Sequence, residues 1–190
     1  MAADNISPST EPKKSGWKRV ALEWVGYLAL LAVILFFFAP ESWWQFGVAP
    51  EAERRTGDAF TLTTLDGGEA WDFEAMRGNV VVVNYWATWC PPCRIETPGL
   101  VRFANEHRDK GVIVVGVTMD DDLSLVPPFV ESYEIGYPIL LPGNDPNLGS
   151  GDIALPTTFL YDKQGKLAKK YTGLVMESTL RSDTAALLAE

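Results

Sequence analysis

The chain has 190 residues, enough for one ordinary domain plus a short appendage. Its formal net charge is −9 at pH 7, which disfavours nucleic-acid binding. The only two cysteines, Cys90 and Cys93, stand three residues apart, so no disulfide scaffold is read from them.

The acidity is uneven. Residues 41–190 carry 12 Lys/Arg against 22 Asp/Glu, a net of −10, whereas residues 1–40 carry 4 against 3. Residues 1–19 are polar, and Met1 to Gly16 shows no apolar periodicity, so a disordered cytoplasmic tail is expected there. From Val20 to Pro40 the chain is almost wholly apolar. About 20 such residues span a bilayer as a helix, so residues 20–40 are expected to form a transmembrane signal-anchor. Glu23 lies near one end, within reach of the interface, and Trp17, Trp24, Trp43 and Trp44 bracket the segment as an aromatic belt would. Lys13, Lys14, Lys18 and Arg19 precede it and favour a cytoplasmic N-terminus, which exports the remainder. A cleavable signal peptide is the main rival. Its apolar region is shorter, roughly 7–15 residues, and ends in a small-x-small site. Gly47-Val48-Ala49 fits that site poorly, because Pro50 follows and Trp43, Trp44 and Phe46 intervene. Residues 41–56 read as a linker, with Arg54-Arg55 in a solvated spacer rather than a membrane-surface or processing signal.

Residues 57–190 read as the folded domain. Phe60 to Leu65 alternates and is Thr-rich, which predicts a strand. Asp66-Gly67-Gly68 is a turn, Glu69 to Phe73 a short return strand, and Phe73 to Arg77 a single helical turn. The four valines of Val80 to Trp86 predict a strand buried on both faces, as central parallel strands are.

A short turn then leads into Trp89-Cys90-Pro91-Pro92-Cys93. Proline suits a first helical turn, where a missing N–H costs nothing. Cys90 is therefore placed at a helix N-terminus and Cys93 one turn on, close enough for the two sulfurs to bond. Free N–H groups and the helix dipole stabilise a thiolate at Cys90 and lower its pKa. Cys90 is read as the group that attacks a substrate disulfide, and Cys93 as the one that resolves the mixed disulfide. Three other readings compete. A structural disulfide gains little from so short a loop. A zinc site needs about four ligands, and two cysteines with one distant His107 fall short. A catalytic cysteine–histidine pair leaves the second cysteine unexplained, and His107 reads as lying on an exposed helix face. Cys-x-x-Cys beside a β–α pattern favours the redox reading.

The longer string Asn84 to Pro98, with Trp86-Ala87-Thr88-Trp89-Cys90-Pro91-Pro92-Cys93-Arg94-Ile95-Glu96-Thr97 inside it, resembles the membrane-anchored TlpA/ResA-type thiol–disulfide oxidoreductases of bacteria. The resemblance runs from about Gly57 to the C-terminus and includes Leu155-Pro156-Thr157-Thr158-Phe159-Leu160. It implies a single-pass protein of the bacterial inner membrane with its C-terminal domain on the periplasmic side.

Beyond the cysteines a helix is expected to about Arg108, kinked at Pro98, with Leu100, Val101, Phe103 and Ala104 on its apolar face. Val112 to Val117 is the next buried strand. Asp120-Asp121-Asp122 reads as a solvated loop and helix cap rather than a cation site. Pro127-Pro128 opens a second helix through Phe129 and Tyr133. Tyr137 to Leu141 reads as an edge strand, because it contains Pro138. Gly143 to Asp152 partly mimics a calcium loop at Asp145 and Asn147 but lacks the closing glutamate, so it reads as a loop. Thr157–Tyr161 and Lys166–Tyr171 form a hairpin across Asp162-Lys163-Gln164-Gly165, and Met176 to Ala189 has helical periodicity. The order β–α–β–α–β–β–α is that of an α/β thioredoxin-like fold: a mixed central β-sheet flanked by helices, here preceded by one transmembrane helix.

The resemblance also assigns the residues around the cysteines. It implies a cis-proline at Pro156, opposite the Cys90 turn, which turns the backbone of Leu155 toward an extended substrate. Trp89, Pro91 and Pro92 complete the expected substrate-contacting set, with Trp86 and Trp89 shielding the site. Thioredoxins carry a buried aspartate where this chain has Asn84, and an amide cannot transfer that proton. The resembling family instead carries a glutamate three residues after the second cysteine, here Glu96. It is expected on the Cys93 face, with a raised pKa and a proton-transfer role. The alternative is a surface glutamate paired with Arg94 or Arg102. The implied function is extracytoplasmic reduction of protein disulfides, such as those of apocytochrome c or copper-site cysteines. Electrons would come from a membrane thiol carrier, with no metal and no cofactor beyond the Cys90–Cys93 disulfide. A non-enzymatic binding module, and a disulfide-forming oxidase using the same cysteines, are the alternatives.

Overall fold

Val80–Trp86 is buried at all seven positions, so the β-branched run forms a strand that neighbours cover on both faces. The computed structural model describes residues 21–30, 47–57, 59–148 and 153–190. Residues 21–30 form a helix, α1. The remainder of the expected membrane span at 20–40 lies outside the described residues, as does the expected tail at 1–19. No helix among the described residues is long and apolar enough to cross a membrane.

Residues 47–190 form one compact unit. Its strands are β1 (Arg55–Thr56), β2 (Thr61–Thr64), β3 (Ala70–Asp72), β4 (Val80–Trp86), β5 (Val112–Thr118), β6 (Ile139–Leu141), β7 (Thr157–Tyr161) and β8 (Lys166–Thr172). Its α-helices are α2 (Pro91–His107), α3 (Val126–Ser132) and α4 (Glu177–Leu188), and a 3-10 turn covers Glu74–Met76. The eight strands make one mixed sheet in the order β1-β8-β7-β4-β5-β6-β2-β3. β4 runs parallel to β5 and antiparallel to β7, with Asn84 opposite both Gly116 and Thr158. This is the expected thioredoxin-like α/β fold.

Side-chain alternation along β4 divides the core. Val80, Val82 and Trp86 join Leu100 and Phe103 of α2, Phe129 of α3, and Leu180 and Leu187 of α4. Val81, Val83 and Tyr85 face the other way, against Phe60, Leu62, Trp71 and Phe73 of the β2–β3 region. Aromatic side chains of an N-terminal hairpin thus cover the face that carries no helix. Each fully buried valine contributes roughly 1.5–3 kcal/mol relative to exposure.

Three expectations are corrected. β6 is not an edge strand: it pairs with β5 on one side and with β2 on the other. Pro138 precedes the strand, and its carbonyl accepts the Gly116 N–H at 3.0 Å, so its missing donor breaks no ladder bond. Residues 47–56 are part of the domain rather than a linker. β1 pairs with β8, the Ala49 N–H reaches the Ala168 carbonyl at 3.0 Å, and Arg54 is 7 % exposed between Asp162 (3.0 Å) and Glu190 (2.6 Å). Asp120 is not a solvated loop residue. It is buried against the turn before Cys90, while Asp122 caps the next 3-10 turn through the Ser124 N–H.

Candidate active site

The site grows from the C-terminal end of β4. The Met119 N–H donates to the Trp86 carbonyl at 2.8 Å, tying the end of β4 to that of β5. Asp120, just past β5, accepts from the Thr88 N–H at 2.9 Å and the Thr88 hydroxyl at 2.6 Å. Thr118 donates its hydroxyl to the same carboxylate at 2.8 Å. One buried aspartate therefore fixes the turn that delivers Trp89 and Cys90. Trp86 stacks on Phe129 at 4.8 Å. Its indole runs over Gly116, where a Cβ would stand 2.7 Å from Nε1.

Cys90 is the N-cap of α2, in extended backbone (φ −84°, ψ 109°), with Pro91 and Pro92 filling the first turn. Its Sγ accepts the Cys93 N–H at 3.3 Å. The two cysteines form a disulfide, with Cα atoms 5.3 Å apart. Two prolines remove two of the N–H groups that a helix start ordinarily offers an anion, leaving Cys93 as the nearest backbone donor. Cys93 is fully buried, as expected for the resolving position, but Cys90 is only 2 % exposed. Cys90 is thus a floor residue rather than the surface residue expected of an attacking thiol. Trp89 stands over it, 64 % exposed.

The Leu155-Pro156 peptide bond is cis. Trp89, Cys90, Pro91, Pro92 and Leu155 line one cleft of about 530 Å³, together with Met119, Asp121 and Ile153. Pro156 does not line the cleft: it is buried, and its carbonyl accepts the Gly173 N–H at 2.8 Å. Four of the five expected substrate-contacting residues therefore meet in one cleft, and the fifth, Pro156, is the buried residue that follows Leu155.

Glu96 is 6 % exposed and, among the described residues, is not paired with an arginine. Arg102 bonds Glu177 at 2.8 Å, and the Arg94 guanidinium lies over the Phe129 ring at 5.9 Å. The Glu96 carboxylate instead accepts the Asn84 side-chain amide at 2.8 Å and the Val175 N–H at 3.1 Å. The Asn84 amide also donates to the Thr158 hydroxyl at 2.9 Å. Burial raises the Glu96 pKa above the usual carboxylate range, and the Val175 and Asn84 hydrogen bonds offset part of that rise. Burial, with the Glu96 charge, likewise raises the Tyr137 hydroxyl.

Asn84 is thus a partner of Glu96, a role the sequence reading missed. The available signal was an amide among buried valines, which demands hydrogen-bond partners. Asp120 carried a weaker signal, as the first carboxylate past a buried strand. Nothing local pointed to the Val175 N–H, 79 residues from Glu96. His107 is half-buried, stacked on Phe103 at 4.3 Å on α2, rather than on an exposed face. Among the described residues no group of three His, Cys, Asp or Glu side chains is placed to hold a metal ion.

A Cys-x-x-Cys disulfide at the start of a helix, a cis-proline preceded by a residue of the same cleft, and a mixed sheet define a thioredoxin-fold thiol–disulfide oxidoreductase. The chain belongs to the AhpC/TSA family, whose profile matches residues 55–184. It is similar to a thiol-disulfide oxidoreductase ResA of Bacillus cereus, at 30% identity over 138 residues, covering 72% of this chain and 75% of that protein. It is 34% identical over 130 residues to the thiol:disulfide interchange protein DsbE of Pseudomonas fluorescens biotype C, covering 67% and 71%. A thiol:disulfide interchange protein of the thioredoxin family from Chlorobium tepidum TLS superposes with a TM-score of 0.64 at 25% identity, covering 73% of this chain and 99% of that one.

Proposed function

We propose that the Cys90–Cys93 dithiol reduces disulfides of protein substrates outside the cytoplasm. The Cys90 thiolate attacks one sulfur of the substrate disulfide. That bond breaks, and the other substrate sulfur leaves as a thiolate and takes up a proton. Cys93 then loses its proton and attacks the Cys90 sulfur, releasing the second substrate thiolate. Two electrons pass to the substrate, and the pair ends as the disulfide. Glu96, one helical turn from Cys93, is the group we assign to proton transfer at that sulfur. No cofactor beyond the cysteine pair is required.

The observation that carries the exchange reading is the Cys90–Cys93 disulfide at the start of α2, in the cleft that also holds Leu155. A strongly oxidising pair owes its poise to a well-stabilised thiolate in the reduced form. In the disulfide form the Cys90 sulfur accepts one backbone donor, the Cys93 N–H. The direction, toward reduction, rests on the resemblance to TlpA/ResA-type proteins, since Pro91-Pro92 by itself does not settle it. The substrate class fits the resemblance to ResA-type proteins, with apocytochrome c or copper-site cysteine pairs as targets and a membrane thiol carrier as electron source.

Residues 20–40 supply the reading of a single-pass anchor in the bacterial inner membrane, with the domain on the periplasmic side. A reporter fused after Glu190 tests this. Activity confined to exported protein in the membrane fraction supports it; release into the soluble fraction contradicts it.

Trapping tests the chemistry. Cys90→Ser abolishes reduction of a protein disulfide, whereas Cys93→Ser accumulates a mixed disulfide through Cys90. Reduction by the Cys90→Ser protein at the unmodified rate would rule the mechanism out.

A further inference from the structure

We propose that the substrate is read by charge on the two sides of its reacting cysteine, with an acidic residue received at Arg94 and a basic residue at Asp121. This rests on the Cys90–Cys93 pair being the exchange site. The exposed Trp89 indole is the shared wall of two neighbouring clefts. The first, about 530 Å³, holds Cys90 and Leu155, and Asp121 is its one charged lining residue. The second, about 380 Å³, is lined by Thr88, Leu125 and Phe129, and Arg94 is its one charged lining residue.

Among the described residues neither charge has an ion-pair partner. Arg54, Arg77, Arg102 and Arg181 all pair with carboxylates. Arg94 instead rests on the Phe129 ring, which holds its guanidinium at the cleft without neutralising it. Asp121 is exposed and has no ion pair among the described residues. Residues 41–190 carry a net of −10, so an acidic substrate group is repelled by most of this region and attracted at Arg94. The occupant is therefore an extended polypeptide segment laid along Leu155. Its cysteine enters the first cleft above Cys90, and its flanking charges are opposite in sign. In an extended segment, residues two before and two after the cysteine point to the same side as its sulfur. Those positions are the ones the two clefts read.

The test uses the reduced full-length chain and cysteine peptides held as mixed disulfides with mercaptoethanol. One peptide carries Asp two residues before and Lys two after the cysteine. A second reverses this order, and a third carries Ser at both places. Hydroxyethyl disulfide is the uncharged control. The second-order rate of Cys90–Cys93 oxidation is followed by tryptophan fluorescence. One charged order should react about fivefold faster than its reverse, as two partly exposed ion pairs allow, and the ratio should shrink in high salt. In the doubly reversed variant Arg94→Glu with Asp121→Lys, the preferred order should switch; because the ratio is taken within each protein, any change in basal rate cancels. Equal rates for both orders, or a preference that survives the double reversal, overturn the assignment while reaction with hydroxyethyl disulfide leaves the exchange reading standing. Failure of every disulfide, the control included, removes both.

Discussion

The Asn84 amide donates to the Glu96 carboxylate at 2.8 Å, joining the central strand to the helix that carries both cysteines. This bond and the Val175 N–H favour the ionised carboxylate, while burial disfavours it more strongly, so Glu96 holds its proton to higher pH than a surface glutamate. A carboxyl group that titrates closer to neutrality is suited to exchange protons with thiols.

Glu96→Gln keeps the shape and removes the titration. Thiol exchange should slow by roughly a hundredfold, the lower end of what a positioned acid or base contributes, and its pH profile should flatten. Stopped-flow rates from mildly acidic to basic pH measure this. If the profiles of variant and parent overlay, Glu96 has no proton role.

The same substitution has a stability signature. The folded pKa of Glu96 is raised above its usual 4.5, so the stabilising contribution is complete below 4.5 and is lost as pH rises through the raised value. Glutamine does not titrate. The parent should therefore lose stability relative to Glu96→Gln as pH rises across that window. Urea unfolding at a series of pH values reads the difference, and a difference that stays constant or moves the other way contradicts the buried titration.

Asn84→Asp places a second carboxyl group beside Glu96. Like charges at hydrogen-bond distance cannot both ionise easily, so the pH profile of exchange should move to higher pH. An unshifted profile would mean that Glu96 does not govern it.

Much of this arrangement was readable from residue order. Val80 to Trp86 announced a buried strand because β-branched residues fill both faces. Cys90-Pro91-Pro92-Cys93 announced a helix start, since proline and an N-cap sulfur both suit it. What escaped the reading depends on partners distant in the chain. β6 became interior because a hairpin far earlier in the chain adds to it, pairing Thr64 with Leu140 and Thr63 with Leu141. Arg54 looked like a spacer residue until Asp162 and Glu190 closed over it. The tether of Glu96 to Val175 is a backbone donor, which no side-chain pattern reveals.

Asp120→Ala leaves the Thr88 N–H and hydroxyl without their acceptor at the turn before Cys90. The loss should cost about 2 kcal/mol of stability, as for a buried hydrogen bond to a charged group. Urea denaturation measures it, and a cost below about 0.5 kcal/mol would mean that Asp120 does not hold the turn.

Arg54→Ala removes the 3.0 Å ion pair of the buried Asp162 carboxylate, which keeps the Gln164 and Lys166 N–H groups on its other oxygen. A loss of about 2–3 kcal/mol is expected, below that of a fully uncompensated buried charge because two backbone donors remain. A near-neutral result would return residues 47–56 to the status of a spacer.

The Cys90–Cys93 pair, as proposed, works as a reductant. Equilibrating the protein with a series of glutathione and dithiothreitol buffers, and reading the fraction reduced, measures its potential directly. A potential of roughly −270 to −200 mV is expected, and a value near about −120 mV, that of a strong oxidant, would overturn the reductant direction.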